Sequence, residues 1–117
     1  MPILKLYKDK NIDSKVDLIL IEDYLIKMMN TELDAKFENC QIIWMVTEIV
    51  KSEYKIYCEL LLRKNEIRNN LIKKKFLTTI GKKLSKSFST NIRLRSFSIK
   101  DEVINAVQIK LGEDDEG

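Results

Sequence analysis

The chain contains no histidine. That absence excludes Ser-His-Asp and Cys-His nucleophilic catalysis and removes the commonest zinc ligand. Any acid or base at work here must be another group. Only one proline and three glycines occur in 117 residues. A chain so poor in both leaves little room for long irregular segments and is expected to be mostly helix and strand. The two cysteines, Cys40 and Cys58, make neither a disulfide scaffold nor a metal cluster. Both fall in strand-like runs and read as small buried hydrophobes. No run approaches the roughly 18 apolar residues of a membrane span. Lys5 and Lys8 interrupt the start, so no secretory signal is read there and a cytoplasmic location is the default expectation.

What is present describes a globular protein: 44% hydrophobic and 33% charged residues, too apolar to stay disordered. The net charge of +3 comes from 21 basic and 18 acidic residues, well mixed except in two places. One is the basic group Lys73, Lys74, Lys75, Lys82, Lys83 and Lys86, which Arg68 extends. The other is the acidic stretch Glu113–Glu116. A single domain over residues 1–112 with an acidic disordered tail at 113–117 is expected.

Residues 2–8 alternate as a short strand. A polar turn follows, with Ser14 as a candidate helix N-cap. Leu18, Ile21, Leu25 and Met28, widened by Tyr24 and Met29, give residues 15–34 a helical stripe. Residues 40–51 are β-branched, aromatic and continuous, which predicts a mostly buried strand. Residues 54–63 form the next strand, and 40–63 reads as a β-hairpin turning at Ser52 and Glu53. Asn65 and Glu66 suit the start of a second helix. Ile72, Phe76, Ile80, Leu84 and Phe88 recur every four residues along it, and Asn91 ends it. Residues 92–99 alternate as a last long strand, and 102–111 fit a short strand or helix.

The order is therefore two β-α-β units, an α+β arrangement with a four-stranded mixed sheet. Right-handed crossovers would place both helices on one face. The other face would be left open, carrying one alternating set such as Tyr54, Ile56, Cys58, Leu60 and Leu62 or their neighbours. The runs at 41–46 and 59–62 are apolar on both sides, so burial of that open face against further copies is expected. Trp44 belongs to the core or to such an interface. Asp9, Asp13 and Asp17 read as turn and capping residues, not as metal ligands.

Pro2 is the residue with chemical potential. A proline at position two permits removal of Met1, which would expose a secondary amine. An α-amino group titrates near pH 7.7–8.0, and burial or nearby cations lower that value by disfavouring the charged form. An amine tuned toward neutrality is a competent general base. Proline at this position also has a plain explanation, because it permits processing and protects the chain end.

Taken together, the opening MPILKLYKDKNI, the strand at 54–63 followed by a basic helix, and the segment FSTNIRLRSFSI resemble the tautomerase superfamily. The group holding 5-carboxymethyl-2-hydroxymuconate isomerase and macrophage migration inhibitory factor is the most similar, over about residues 2–104. The resemblance implies a homotrimer with sheets around the threefold axis. It implies a tautomerase, as in aromatic catabolism, that moves a proton between carbons of a small enol or keto acid. Pro2 would be the catalytic base, with Lys36, Arg93 and Arg95 binding the substrate carboxylate. No cofactor and no metal are implied. Arg93 and Arg95 are two residues apart and share one strand face, where they suit a bidentate carboxylate clamp or simple solvent exposure. Asn39, Cys40 and Gln41 stand where the muconate isomerases carry arginines.

A tautomerase-fold oligomer without chemistry, serving as an interaction module, is the alternative. Nucleic-acid binding by the lysine-rich helix ranks below both, since no aromatic platform is interleaved with the lysines. Neither a nucleic-acid nor a membrane partner is expected.

Overall fold

The structure, a computed structural model, describes residues 2–12, 15–64, 68–100 and 105–112. Its elements are β1 (Ile3–Asp9), α1 (Leu18–Glu32), β2 (Gln41–Thr47), β3 (Tyr54–Arg63), α2 (Asn70–Phe88) and β4 (Asn91–Ile99), with a 3-10 turn at Phe37–Asn39. The four strands form one mixed sheet in the order β2-β1-β3-β4. This is the expected pair of β-α-β units in an α+β fold. No helix among the described residues is long and apolar enough to cross a membrane.

The helices start later than the sequence cues suggest. Asp17 caps α1, its side chain accepting from the Ile19 and Leu20 amides. Asn69 caps α2 by accepting from the Ile72 amide. Ser14, Asn65 and Glu66 lie outside the described residues. In each case an Asx residue nearer the apolar stripe satisfies the free amides of the first turn. Helix α2 ends at Phe88, with Ser89 at φ 52° in the left-handed region, its amide donating to Ser85.

The expected hairpin over 40–63 does not form. β1 pairs parallel with β2 and antiparallel with β3, and β3 pairs parallel with β4. β2 and β3 are therefore separated by β1. Sequence proximity favoured the hairpin because consecutive strands usually neighbour one another. Burial decides otherwise: in β3, Ile56, Cys58, Leu60 and Leu62 are fully enclosed, whereas no residue of β2 is. The strand whose apolar side is most regular takes a central place, and β2 takes an edge.

The link from β2 to β3, residues 48–53, crosses the end of β1 and is fixed there by Asp9. One Asp9 carboxylate oxygen accepts from the Ile49 amide at 2.8 Å and the other from the Asn11 amide at 3.1 Å. The Lys10 amide donates to Thr47 at 2.8 Å, and the Lys55 ammonium donates to the Ile49 carbonyl at 2.9 Å. The bonds from Ile49 and Asn11 hold the Asp9 carboxyl below its ordinary range; burial opposes them, and Lys55 and Lys10 add to them. A depressed carboxyl pKa stabilises the fold above the unfolded value, about 3.9, and that contribution is lost as pH falls through the folded value. Asp9→Asn is thus expected to melt below wild type at pH 7, the gap closing below about pH 4. Thermal melts at pH 7 and pH 3 check this; an equal gap at both would exclude the carboxylate as its cause.

Both helices cover one face. Leu4, Leu6, Ile56, Cys58, Leu60 and Leu62 from the central strands meet Ile21, Leu25 and Met29 of α1 and Phe76, Ile80, Leu84 and Phe88 of α2. The four-residue repeat of α2 is therefore its core face. Gly81 brings α2 close to β4: a Cβ there would sit 2.9 Å from Leu94 Cδ1. Trp44 packs from β2 against this core, its indole donating to Glu22 at 2.8 Å and its ring meeting Phe88 edge-on at 6.0 Å. Cys58 is enclosed, and burial pushes its thiol up to about 12. Residues 105–112 carry neither helix nor strand; the remainder of the segment expected at 102–111, and the acidic tail, lie outside the described residues.

The uncovered face holds the neighbours of the set first considered. Ile56, Cys58, Leu60 and Leu62 point to the helices. By register, Ile3, Lys5, Tyr7, Ile43, Met45, Tyr57, Glu59, Leu61, Arg93, Arg95 and Phe97 occupy the open side. Its end near Pro2 is apolar, and its opposite end is aromatic and cationic.

Candidate functional site

Pro2 precedes β1, a central strand, and its side chain is fully buried. It continues the inward set of Leu4 and Leu6. Its carbonyl accepts from the Gln41 amide at 3.0 Å, which ties the chain start to the first residue of β2. The turn leading to Gln41 carries Lys36 and Cys40. The Lys36 side chain is exposed, and its carbonyl accepts from the Asn39 amide at 3.0 Å and from the Cys40 thiol at 3.3 Å. Burial raises the Cys40 thiol above its ordinary range, and the Arg68 charge acts in the opposite direction.

Arg68 was not legible as a member of this region. In the sequence it extends the basic surface of α2. In the structure it lies before that helix, half-buried, with Nε donating to the Leu33 carbonyl at 2.8 Å. The hint in the sequence is its place ahead of Asn69, four residues before Ile72 and so in phase with the apolar repeat. Arg68 thus supplies cationic charge near Cys40 at the Pro2 end of the sheet, with Glu38 acting against it, whereas Lys36 contributes its backbone carbonyl and an exposed side chain.

Arg93 and Arg95 do share a strand face, as their spacing requires, and that face is the open one. Their guanidinium groups lie over aromatic rings: Arg93 over Tyr54 at 4.5 Å and Arg95 over Tyr57 at 5.5 Å. Such contacts orient a guanidinium while leaving its donors available. Tyr7 stacks on Tyr57 at 5.7 Å. The Tyr57 hydroxyl donates to Glu59 at 2.9 Å. Burial raises the Tyr57 pKa first; the bond to Arg95 lowers it and that to Glu59 raises it. Tyr7, Tyr54, Tyr57, Arg93 and Arg95, with Thr47, Glu48, Ile49 and Ser52, border a cavity of about 360 Å³. A bulge at Lys55 brings Tyr54 to the arginines, and such an irregularity has no sequence signal here.

Within one chain the structure does not unite Pro2 with the arginine pair. Arg95 is level with Glu59 and Lys5, three residues along β1 from Pro2 and two strands across. That places it about 10 Å along and about 10 Å across the sheet. Pro2 also belongs to the helix side and the arginines to the open side. Any site using all of them takes its halves from two copies. A larger cavity, about 600 Å³, lies between α2 and β4 over Leu77, Gly81 and Leu94, away from Pro2. Among the described residues no cluster could hold a metal ion.

No family model matches the sequence, and no curated protein matches it. Solved structures do. A fused 4-OT wild-type symmetric trimer shares 18% identity at a TM-score of 0.72, covering 90% of this chain and 93% of that one. A macrophage migration inhibitory factor-like protein from Entamoeba histolytica shares 9% at 0.70, covering 91% and 95%. A member of the cis-3-chloroacrylic acid dehalogenase family shares 13% at 0.70, covering 89% and 79%. At such identities the likeness is one of architecture: this chain shares the fold of these three proteins.

Proposed function

We propose that this protein is a tautomerase acting on a small enol or keto acid, assembled as a homotrimer, with Pro2 as the proton carrier once Met1 is removed. The observation that carries the reading is the place of Pro2 in this fold, enclosed at the head of a central strand. Enclosure and the nearby Arg68 charge both disfavour a protonated amine, which suits it to act as a base near neutral pH. In ketonisation the amine takes the proton of the enol hydroxyl and returns a proton to the adjacent carbon. The step is an isomerisation, so no electrons leave and no cofactor is needed. Arg93 and Arg95 of an adjacent copy hold the carboxylate and stabilise the enolate that develops beside it. The symmetric trimer formed by the fused 4-OT protein supports the three-copy assembly.

A second reading, an oligomer without chemistry, is favoured by one observation: each arginine already lies over a tyrosine of its own chain. Intact mass and activity separate the two. We expect a mass lacking Met1, and a rate of phenylenolpyruvate ketonisation that Pro2→Ala lowers at least about 100-fold. Retention of Met1, or a variant as fast as wild type, would replace the isomerase with the binding module.

A further inference from the structure

Leu77, Gly81 and Ser85 are spaced by four on α2 and form one row along it; Thr78, Lys82 and Lys86 form the next. Both rows border the cavity of about 600 Å³ beside β4, where Ile92 and Leu94 complete an apolar floor. Leu77, Ile92 and Leu94 are only half-buried, so the floor is open to an entering molecule. It stays low because Gly81 has no side chain to raise it.

The first β-α-β unit shows what such a space can hold. The fourth residue of β2 is Trp44, and its indole lies beside α1, donating to Glu22 at 2.8 Å. The fourth residue of β4 is Leu94, a smaller side chain, with Gly81 facing it. The place that a bicyclic ring fills in one unit is left as a cavity in the other.

The rim sets the charge of a guest. Lys73 donates to Ser98, Lys75 pairs with Glu32, and Lys83 lies over Tyr24. Lys82 and Lys86 have no such partner among the described residues. They stand one helical turn apart at the cavity edge. Glu53, the carboxylate on the lining, accepts from the Asn91 side-chain amide at 3.4 Å. Where the Trp44 ring meets an acid, a ring in this cavity meets two cations.

We infer that this cavity binds a planar bicyclic aromatic carboxylate, its ring on Leu77, Gly81 and Leu94 and its anion between Lys82 and Lys86. Burial of the ring on the apolar floor supplies affinity, and the two ammonium groups fix orientation. The cavity lies where β3 and β4 begin, with Tyr54 opposite Asn91. Pro2 precedes Ile3, which lies opposite Leu61 near the other end of β3. The inference therefore rests neither on the proposed isomerisation nor on a second copy.

Naphthoate titrated into the full chain, followed by amide NMR shifts, tests it. The Gly81, Ser85 and Leu94 amides should shift and saturate with a Kd of about 1 mM or below. The double variant Lys82→Ala, Lys86→Ala should bind about tenfold more weakly, as loss of two exposed ion pairs predicts. Uncharged naphthol should bind wild type no better than naphthoate binds that variant. Leu94→Trp, which supplies a ring from the chain itself as β2 does, should abolish the Gly81 shift and leave the β1 amides in place. If Leu94→Trp does not fold, the lysine variant decides alone, since neither ammonium belongs to the core. No saturable shift at the three amides overturns the inference, as do shifts confined to Ile3 and Gln41 beside Pro2. A lysine variant that binds as tightly as wild type overturns it equally.

Discussion

Mixing two inactive variants is expected to restore ketonisation. In the proposed reaction Pro2→Ala lacks the base, and the double variant Arg93→Ala, Arg95→Ala lacks the carboxylate clamp. If each site takes its proline from one copy and its arginines from the next, neither homotrimer has a complete site. In a trimer assembled at random from equal amounts, a site is complete when an arginine-deficient chain supplies Pro2 and a proline-deficient chain supplies the arginines. Each condition holds for half the chains, so about a quarter of wild-type activity should return. The physical basis is the separation within one chain: opposite faces of the sheet, and about 10 Å apart in each direction. Co-refolding the two variants at equal concentration and assaying against either alone measures the effect. Full activity in the arginine variant alone would remove the clamp from the reaction. Inactive parents that stay inactive when mixed, although mass spectrometry shows mixed trimers, would place the whole site in one chain.

Phe76→Ala should lower stability by about 3–5 kcal/mol. Phe76 is fully enclosed in the main hydrophobic core, on the four-residue stripe by which α2 meets the sheet. Its removal loses the transfer energy of a large ring and leaves a cavity that rigid strands can only partly close. Against a total of about 5–15 kcal/mol, the loss is a large share of the stability. Leu71→Ala is the control. Leu71 lies five residues earlier and is 78% exposed, and it should change stability by less than about 0.5 kcal/mol. Urea unfolding of all three chains at one fixed protein concentration compares them, because association adds to apparent stability. Equal midpoints for Phe76→Ala and wild type would mean that α2 does not pack as described.

The periodicity of α2 was fully legible: a four-residue apolar repeat has one helical face, and that face is the core. So was the two-unit layout, since a strand, a helix and a strand occur twice with little proline or glycine between them. The partners of the strands were not. Pairing β2 with β3 looked natural because they are neighbours in sequence. The choice depends on which strand can be covered by helices, a property of the whole sheet. The side of β3 that faces outward was ambiguous for the same reason: alternation is plain, yet its phase is set by the helices. Near the candidate site, the shared face of Arg93 and Arg95 followed from spacing alone. Arg68 and Tyr54 did not, because one depends on where a helix begins and the other on a bulge in β3.

The antiparallel meeting of β1 and β3 at the centre of the sheet has one more result. It relates the two β-α-β units by an approximate half-turn, so the head of β3 occupies in the second unit the place that Pro2 holds in the first. Glu53 and Tyr54 stand there, in the middle of the polypeptide. A peptide nitrogen has no basicity near neutral pH, and no processing can give it any. The second unit thus repeats the scaffold of the first without repeating the position proposed to react. Three such chains would carry six equivalent strand heads and three amines.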